Sequence, residues 1–179
     1  MTEIKPTWIA VDWGTSNLRA WAMGPAGPLA QVTSDEGMGR LTREGFEPAL
    51  IRLISPWLDG GTLPVVACGM VGSRQGWHEA PYMTAPCPPL DVARVVRVST
   101  ADPRIAMFIA PGIKQTSPAD VMRGEETQIA GALALRPGFG GVLCLPGTHT
   151  KWAQVSAGEV VSFQTFMTGE MFALLSQQS

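Results

Sequence analysis

The feature of this 179-residue sequence that most limits its fold is a pattern that occurs twice. A strand runs into a turn of glycine and hydroxyl residues, a second strand returns, and another turn leads to a third strand. The first copy covers residues 8–33 and the second covers residues 142–166. The copies share this pattern and not their residue identities. Each copy predicts an antiparallel three-stranded meander, so the chain is predicted to begin the same kind of sheet twice.

The sequence between the two copies predicts further helices and strands of a mixed α/β protein. Apolar residues at helical spacing predict a helix over residues 46–58. The continuous apolar run 63–70 predicts a strand that is buried on both faces. Residues 71–91 are rich in Gly and Pro and are predicted to be mostly loop, with strands following at 94–98 and 105–110.

Two more helices are predicted, one before and one after the second copy. Ser117-Pro118-Ala119-Asp120 is typical of a helix start, because a hydroxyl cap precedes a proline where no backbone donor is needed. We expect this helix to continue to about Leu135, with a second start at Gly124 as an alternative. Pro and Gly within residues 137–141 end it and form a candidate interdomain hinge. The last helix is predicted to start near Thr168.

Composition argues against several classes of protein. The net charge is −2 and the basic residues are scattered, which gives no electrostatic basis for binding nucleic acid. No apolar run approaches the roughly 18 residues of a membrane helix, and the first residues do not have the pattern of a signal peptide. The three cysteines show no CxxC spacing, which favours reduced thiols. We therefore expect a soluble cytoplasmic protein without nucleic-acid or membrane partners.

The turn of the first copy has the composition of a phosphate-binding turn. Gly14 lets the backbone bend tightly. The hydroxyl and N–H groups of Thr15, Ser16 and Asn17 can then face phosphate oxygens. Asp12 leads into the turn and can hold Mg²⁺ through water, because hard cations prefer oxygen ligands. The alternative is an ordinary hairpin turn, which favours the same residue types.

The turn of the second copy is again built from glycine and hydroxyl residues, namely Gly147, Thr148 and Thr150. It is not a P-loop, since the GxxxxGK[ST] pattern is absent. Phosphate binding is the functional interpretation of this turn, and an ordinary hairpin is again the alternative. We interpret His149, which lies inside the turn, as structural.

Two adjacent carboxylates, Glu125 and Glu126, lie near a predicted helix start. The positive end of a helix dipole favours an ionised carboxylate, which can take the proton of a substrate hydroxyl during phosphoryl transfer. Neighbouring helical residues point about 100° apart, so the two side chains cannot share one direction. The alternative is a solvated acidic pair that only favours the helix.

A third polar group follows the predicted strand 63–70. Ser73, Arg74, Gln75 and Trp77 lie where a buried strand of an α/β sheet ends, which is where such sheets bind ligands. An arginine, an amide and an indole suit a small polar substrate that carries a carboxylate. The alternative is an arginine held by a neighbouring acid or carbonyl group.

These groups, in this order, resemble the sugar kinases of the actin/hexokinase superfamily, and most closely the 2-dehydro-3-deoxygalactonokinase family. The resemblance covers nearly the whole chain, in the stretches IAVDWGTSNLRAW, ACGMVGSRQGWHEAPY, DVMRGEETQIAGAL, LCLPGTHTKWAQV and FMTGEMFALLSQ. It implies an α/β protein with an actin-like ATPase (ribonuclease H-like) fold, in which helices flank a mixed sheet.

The resemblance also implies transfer of the γ-phosphate of ATP, with Mg²⁺, to the 6-hydroxyl of 2-dehydro-3-deoxy-D-galactonate. By position, residues 12–17 become the first phosphate loop and residues 147–150 the second. Glu125 falls where related carbohydrate kinases such as glycerol kinase carry the Asp of a Gly-Asp pair, which makes it the expected base, with Glu126 as the alternate. Arg74 falls where those kinases have a sugar-contacting arginine.

Members of the family that this chain resembles are longer, and in them a second domain supplies the adenosine pocket. The resemblance therefore implies a first domain over residues 1–137 and a truncated second domain over 138–179. Such a chain would leave apolar sheet faces and strand edges uncovered, so we expect low stability or a homodimer. Two alternatives remain open: a non-catalytic sugar-acid-binding or regulatory remnant, and a kinase for a related sugar acid.

Overall fold

The computed structural model describes residues 4–59 and 61–177. Within these ranges the chain forms twelve β-strands and three α-helices. The strands are β1 (Trp8–Trp13), β2 (Leu18–Gly24), β3 (Gly27–Ser34), β4 (Leu63–Gly69), β5 (Tyr82–Thr84), β6 (Val96–Val98), β7 (Ile105–Ile109), β8 (Gly112–Thr116), β9 (Ala119–Met122), β10 (Gly141–Leu145), β11 (Thr150–Ser156) and β12 (Glu159–Phe166). The helices are α1 (Phe46–Ile54), α2 (Glu125–Leu135) and α3 (Thr168–Gln177). None of these described helices combines the length and hydrophobicity that crossing a membrane requires.

The chain divides into two compact units. Unit 1 comprises the chain up to Pro81 together with Val92–Pro111. Unit 2 comprises Tyr82–Asp91 together with the chain from Gly112 onward. The segment Tyr82–Asp91 belongs to unit 2 because its strand β5 pairs in parallel with β8. The predicted domain boundary between residues 137 and 138 is a different division, and it stays a prediction.

Unit 1 is built on a six-stranded mixed sheet with the order β3-β2-β1-β4-β7-β6. Strands β1, β2 and β3 form the antiparallel meander that the sequence predicted. Strands β4 and β7 run parallel to β1, and β6 is antiparallel to β7. Because the carboxyl ends of parallel strands meet at one edge of a sheet, the residues that follow β1 and β4 lie side by side.

Helix α1 covers one face of this sheet. Its buried residues Phe46, Ala49, Leu50 and Ile54 recur at helical spacing and join one core with the inward-facing residues of β1 and β2. The helix predicted over residues 46–58 is therefore confirmed to Ile54, and a short 3-10 turn continues it over Ser55–Trp57.

Unit 2 contains two three-stranded sheets, β5-β8-β9 and β10-β11-β12, with α2 between β9 and β10 in the chain. The side chain of Gln115 joins the two sheets. Its amide nitrogen donates to the carbonyl of Phe163 at 2.8 Å, and its amide oxygen accepts from the Phe163 N–H at 2.9 Å. Because both backbone groups are buried, this bond pair satisfies polar atoms that would otherwise be costly to bury.

The helix start predicted at Ser117-Pro118-Ala119-Asp120 is wrong. Ser117 and Pro118 form the bend of the β8–β9 hairpin, in which Thr116 pairs with Ala119, and Ala119 and Asp120 begin β9. The Gln115 amide also donates to the Pro118 carbonyl at 2.8 Å, which fixes the bend. Serine, proline and aspartate are favoured in tight turns as well as at helix starts, so the local pattern did not separate the two. The alternative start is confirmed, since α2 begins directly after Gly124.

Strands β10, β11 and β12 form the second predicted meander, and α3 begins at Thr168 as predicted. A short segment of the predicted loop 71–91 differs from the prediction, because Tyr82–Thr84 forms β5. Its partner β8 lies far along the chain, so no local pattern announces this strand.

Candidate active site

The turn between β1 and β2 is closed and then held from one side by the segment after β3. Gly14 donates its N–H to the Asn17 carbonyl at 2.9 Å. The Met38 N–H donates to the Gly14 carbonyl and the Gly39 N–H to the Thr15 carbonyl, both at 2.9 Å. Two turn carbonyls are thus occupied by backbone donors from the segment after β3. Thr15, Ser16 and Asn17 remain exposed, which leaves their side chains available to a ligand.

Gly37 makes this arrangement possible and was missed in the sequence. A Cβ atom at this position would lie 2.5 Å from the Asn17 nitrogen, which is closer than real Cβ contacts allow. Only glycine therefore lets the segment after β3 approach the turn backbone. The available signal was the Gly37-Met38-Gly39 sequence immediately after a predicted strand.

Asp12 lies near the carboxyl end of β1, where its carboxylate accepts a hydrogen bond from Arg19 at 2.8 Å. The Asp12 side chain is 30% exposed, so water or a ligand can still reach it. The adjacent strand β4 ends at Gly69, whose φ of 93° and close approach to the Trp13 carbonyl exclude a side chain. The end of β4 therefore lies directly beside Asp12.

The donor set around Asp12 fits a magnesium ion only if a substrate supplies the other ligands. Within the described part of the chain, no three His, Cys, Asp or Glu side chains cluster as a metal site. Mg²⁺ is commonly bound by one or two carboxylates together with phosphate oxygens and water. A single, partly exposed carboxylate beside a phosphate-type turn is consistent with that arrangement.

The segment that follows β4 divides into buried and exposed residues. Ser73 is buried, and its hydroxyl donates to the Met38 sulfur at 3.2 Å. Trp77 is also buried, and its ring lies 6.3 Å from the Trp13 ring and 6.4 Å from the Phe46 ring. Arg74 and Gln75, between these two anchors, are exposed. The structure thus presents Arg74 and Gln75 outward on a loop that Ser73 and Trp77 fix to the core.

Unit 1 therefore brings together the turn between β1 and β2 and the segment that follows β4. Met38 contacts both, because its N–H bonds to Gly14 and its sulfur accepts from Ser73. No carboxylate in residues 4–59 and 61–177 pairs with the Arg74 guanidinium, and its backbone carbonyl accepts from Arg43 at 3.1 Å. An arginine that is not consumed by an internal acid remains available to an external anion.

The two carboxylates at the start of α2 differ in environment. Glu125 is half-buried, and one of its oxygens accepts the Arg123 N–H at 3.1 Å. Glu126 is only 1% exposed, and its two oxygens accept the Gly124 N–H at 2.9 and 2.7 Å. Gly124 itself has φ 107°, a conformation that favours glycine. The Glu126 side chain therefore folds back to cap its own helix, whereas Glu125 keeps access to solvent.

Burial raises the pKa of Glu126 to about 8, and the nearby Glu125 carboxylate contributes in the same direction. The Glu126 and Gly124 amides and Arg123 act in the opposite direction but do not cancel the effect of burial. Below that pH the Glu126 side chain is predominantly neutral. A buried, neutral acid is poorly suited to take a proton from a substrate at neutral pH.

Arg123, which the sequence analysis did not single out, is fixed beside these carboxylates by an aromatic ring. Its guanidinium lies 4.0 Å from the centre of the Tyr82 ring, and its Nε donates to the Tyr82 hydroxyl at 3.0 Å. Tyr82 is in the small strand β5, so a residue distant in sequence orients this cation.

The second glycine turn, between β10 and β11, is held by the start of α3. The Glu170 N–H donates to the Thr148 carbonyl at 3.0 Å, and a Cβ atom on Gly169 would lie 2.9 Å from the Gly147 carbonyl carbon. His149 Nε2 lies 3.2 Å from a Glu170 oxygen, in agreement with a structural role for this histidine. Gly147 and Thr148 are exposed, whereas Thr150 is buried as the first residue of β11.

A buried lysine next to this turn was also missed. Lys151 is 6% exposed, and its ammonium donates to the Val121 carbonyl and the Thr165 hydroxyl, both at 2.6 Å. Asp120 lies 3.7 Å from the same ammonium and accepts from Thr165. Lys151 thus ties β11, which follows the glycine turn, to β9, which leads to the α2 carboxylates. The sequence feature that could have indicated burial of Lys151 is its position on the same face of an alternating strand as Ala153 and Val155.

Comparison with known structures gives the class of protein first. A crystal structure described as that of a candidate 2-dehydro-3-deoxygalactonokinase from Sinorhizobium meliloti matches with a TM-score of 0.85 and 38% sequence identity. The match covers 96% of this chain and 57% of that chain. The chain thus shares the mixed α/β fold of a protein described as a sugar-acid kinase.

The family follows from the sequence comparisons. The family model described as 2-keto-3-deoxy-galactonokinase matches residues 12–179, and the chain belongs to this family. A Rhizobium meliloti (strain 1021) protein named as a probable 2-dehydro-3-deoxygalactonokinase is 40% identical over 174 residues, which cover 95% of this chain and 56% of the relative. The 2-dehydro-3-deoxygalactonokinase of Escherichia coli (strain K12) is 38% identical over 174 residues, which cover 96% of this chain and 57% of the relative. The chain spans a little over half the length of these relatives.

Proposed function

We propose that this chain supplies the sugar-acid site, the catalytic carboxylate and the phosphate turns of an ATP-dependent kinase. The reaction is transfer of the γ-phosphate of ATP to the 6-hydroxyl of 2-dehydro-3-deoxy-D-galactonate. The observation that carries the proposal is that a single family match, over residues 12–179, contains both glycine turns, Arg74 and Glu125. The finer fold assignment that we propose is actin-like, which is supported by the two meanders that each lead to a helix.

Glu125 is the proposed base. A base must reach the hydroxyl whose proton it takes, and of the two α2 carboxylates Glu125 is the one that retains exposure. Its position in the first turn of a helix stabilises the ionised form through the helix dipole. Glu126 is assigned a supporting role, because both of its oxygens are bound to the Gly124 N–H.

Unit 1 supplies the proposed contacts to phosphate and metal. Asp12 would hold Mg²⁺ through water, and the ion would neutralise charge on the transferring phosphoryl group. The exposed hydroxyls of Thr15 and Ser16 and the Asn17 amide would donate to phosphate oxygens. The backbone bonds from Met38 and Gly39 keep this turn in one conformation before a ligand arrives. Gly147, Thr148 and Thr150 are proposed as the second phosphate turn.

Arg74 is the proposed ligand of the sugar-acid carboxylate. It is exposed, it is anchored on both sides by buried residues, and no described acid neutralises it. A guanidinium can bind a carboxylate through two parallel hydrogen bonds, which fixes the orientation of the substrate. Gln75 is placed to add a further polar contact, whereas Ser73 and Trp77 support the loop from the core.

A second candidate function is sugar-acid binding without catalysis. It is favoured by the span of the match, because the chain covers 56–57% of the relatives' length. Calorimetry of the chain with 2-dehydro-3-deoxygalactonate, combined with an ADP-release assay, separates the two functions. Binding without phosphorylation, with and without the missing part of a relative, would favour the second function.

The test of the kinase proposal compares two adjacent glutamates. We expect E125Q to reduce ADP release in the presence of 2-dehydro-3-deoxygalactonate by about 10²–10⁴-fold, the usual contribution of a general base. The matched control E126Q retains the side-chain shape and should reduce it far less. Equal losses in both variants would contradict the assignment of Glu125, and turnover only with other sugar acids would contradict the proposed substrate.

A further inference from the structure

The segment that leads into α1 lies against the loop that carries Arg74. Arg43 begins a short 3-10 helix, Arg43–Gly45, which continues directly into α1. The Arg43 guanidinium donates from Nη2 to the Arg74 carbonyl at 3.1 Å, although the two residues are 31 positions apart in sequence. This bond therefore joins two distant segments of unit 1 at the loop after β4.

An aromatic contact joins the same two segments. Phe46 follows Arg43 by three residues, and Trp77 follows Arg74 by three residues. The rings of Phe46 and Trp77 are stacked, with centroids 6.4 Å apart and planes at 23°. The Trp13 ring lies 5.0 Å from the Phe46 ring and 6.3 Å from the Trp77 ring. Because all three rings are buried, they hold the two backbone segments side by side.

Neither of the two arginines is neutralised by the chain. Both are exposed, and no carboxylate in the described part of the chain pairs with either guanidinium. Glu44 is the neighbour of Arg43, but its carboxylate is held mainly by its own turn. Hydrogen bonds from the Glu44 backbone and the Thr42 hydroxyl lower the pKa of the Glu44 carboxyl, and Arg43 makes the smallest contribution.

Other arginines of unit 1 show the contrasting arrangement. Four of them each form an ion pair with an acid: Arg19 with Asp12, Arg40 with Asp35, Arg52 with Glu36 and Arg104 with Asp102. Arg43 and Arg74 instead bring two positive charges to one loop without an internal acid. Such an arrangement costs repulsion in the free protein, and a bound anion would relieve it.

We propose that Arg43 is a second cationic contact of the sugar-acid carboxylate, beside Arg74. The inference rests on the proposed function, which assigns Arg74 as the first contact. A guanidinium has five N–H donors, and the bond to the Arg74 carbonyl uses one of them. The exposed position of Arg43 lets its other donors reach a ligand. Arg43 thus fixes the backbone from which Arg74 extends, and it adds a charge that selects acids over neutral sugars.

The test measures binding, so it does not require turnover. Calorimetry compares two probes with the chain: 2-dehydro-3-deoxygalactonate and its neutral amide. We expect R43M to weaken binding of the acid by about tenfold or more, because a charge-assisted hydrogen bond is lost. Binding of the amide should weaken by less than about threefold, since an uncharged group gains less from a cation. R43K keeps the charge without the planar fork, so its loss for the acid should be intermediate.

Matched variants separate a local contact from other effects. R52M makes the same change in net charge at an exposed arginine of unit 1 that already pairs with Glu36, and it should leave the affinity for the acid unchanged. R74M tests the first contact by itself. Far-UV circular dichroism and urea unfolding check that each variant is folded, which the exposure of Arg43 leads us to expect.

Each outcome decides the proposal. A loss in R43M that is larger for the acid than for the amide, together with no loss in R52M, would support it. Equal losses for acid and amide would reduce Arg43 to a support of the loop, and an R43M variant that binds like R52M would exclude any role. Absence of binding to the unaltered chain, or an R74M variant with full affinity, would instead contradict the proposed sugar-acid site and the inference with it. The E125Q assay still judges the proposed base separately.

Discussion

In unit 1 the meander β1–β3 leads to helix α1, which buries four of its nine residues, whereas in unit 2 the meander β10–β12 leads to helix α3, in which none of Thr168–Ser176 is buried. Strand β1 has a neighbour on each side, and β10 has β11 on one side. The turns inside the two meanders are nevertheless alike. Each is a glycine-hydroxyl bend that the segment after the third strand holds through its backbone, with two hydrogen bonds in unit 1 and one in unit 2.

The comparison shows that local sequence is sufficient to set the meander and its turn, while burial depends on the elements that cover it. Gly37 and Gly169 serve the same purpose in the two units, since each lets the following segment approach the turn backbone. The turns thus form in both units independently of how completely the sheet is covered. Burial of the helix does depend on its cover, because α1 packs into the core of unit 1 whereas α3 contacts the second turn through Glu170 and buries none of Thr168–Ser176.

The largest expected contrast is between the phenylalanines of the two helices. Phe46 is fully buried against Trp13, so F46A should lower the free energy of unfolding by about 3–5 kcal/mol through lost contacts and a cavity. Phe172 is 72% exposed, so F172A should change it by less than about 0.5 kcal/mol. Urea unfolding followed by tryptophan fluorescence measures both. Similar losses of unfolding free energy in F46A and F172A would show that α3 is packed and would contradict the difference between the two helices.

The next effect concerns the buried cation of unit 2. K151M removes two hydrogen bonds from a charged donor and leaves Asp120 without its cation, which should cost about 3 kcal/mol. The control Q154M lies on the same strand at an exposed position and should cost little. Protection of the α2 amides from hydrogen exchange reports whether the link from β11 to β9 has been lost. A K151M variant as stable as Q154M would show that the network is not stabilising.

Glu126 gives unit 2 a pH dependence that unit 1 does not share through any equivalent buried acid in its described part. The pKa of Glu126 is raised to about 8 in the folded chain, so folding is favoured by protonation. This contribution is complete below the ordinary glutamate pKa of about 4.5 and is lost as the pH rises through about 8. The midpoint temperature of unfolding should therefore fall as the pH rises between those values. In E126Q the midpoint should depend less on pH over the same range. An unchanged slope in E126Q would contradict the burial of an acid at this position.

The smallest effect is expected at the ion pair of the first meander. Arg19 and Asp12 are 46% and 30% exposed, so solvent screens their attraction. R19M should lower the free energy of unfolding by less than about 1 kcal/mol, well below the effect of K151M. Arg19 and Lys151 are each the second residue in the middle strand of a meander, so R19M and K151M compare equivalent positions. A larger cost for R19M would reverse the order that exposure predicts.

The sequence was informative where structure depends on neighbouring residues. Alternation and glycine turns predicted both meanders, and apolar spacing predicted α1 through Phe46 and Leu50. The Gly124 alternative correctly placed the start of α2. In the candidate site, the sequence selected Asp12, Arg74 and the α2 carboxylates, and their assigned roles stay predictions.

The sequence failed where distant residues decide the outcome. The Ser117-Pro118 pattern was interpreted as a helix start because nothing local shows that Gln115 holds the bend or that β9 pairs with β8. The pairing of β5 with β8 likewise could not be predicted from local sequence. Nor could adjacency in sequence separate Glu125 from Glu126, since their difference arises from the φ of Gly124 and from burial.

Hydrogen exchange of β1 and β10 tests the central difference between the units most directly. We predict slow exchange for amides of Trp8–Trp13 and much faster exchange for those of Gly141–Leu145, because β1 pairs with a strand on each side, whereas β10 pairs with β11 alone among residues 4–59 and 61–177. Equal protection of β1 and β10 in the chain alone would contradict the account.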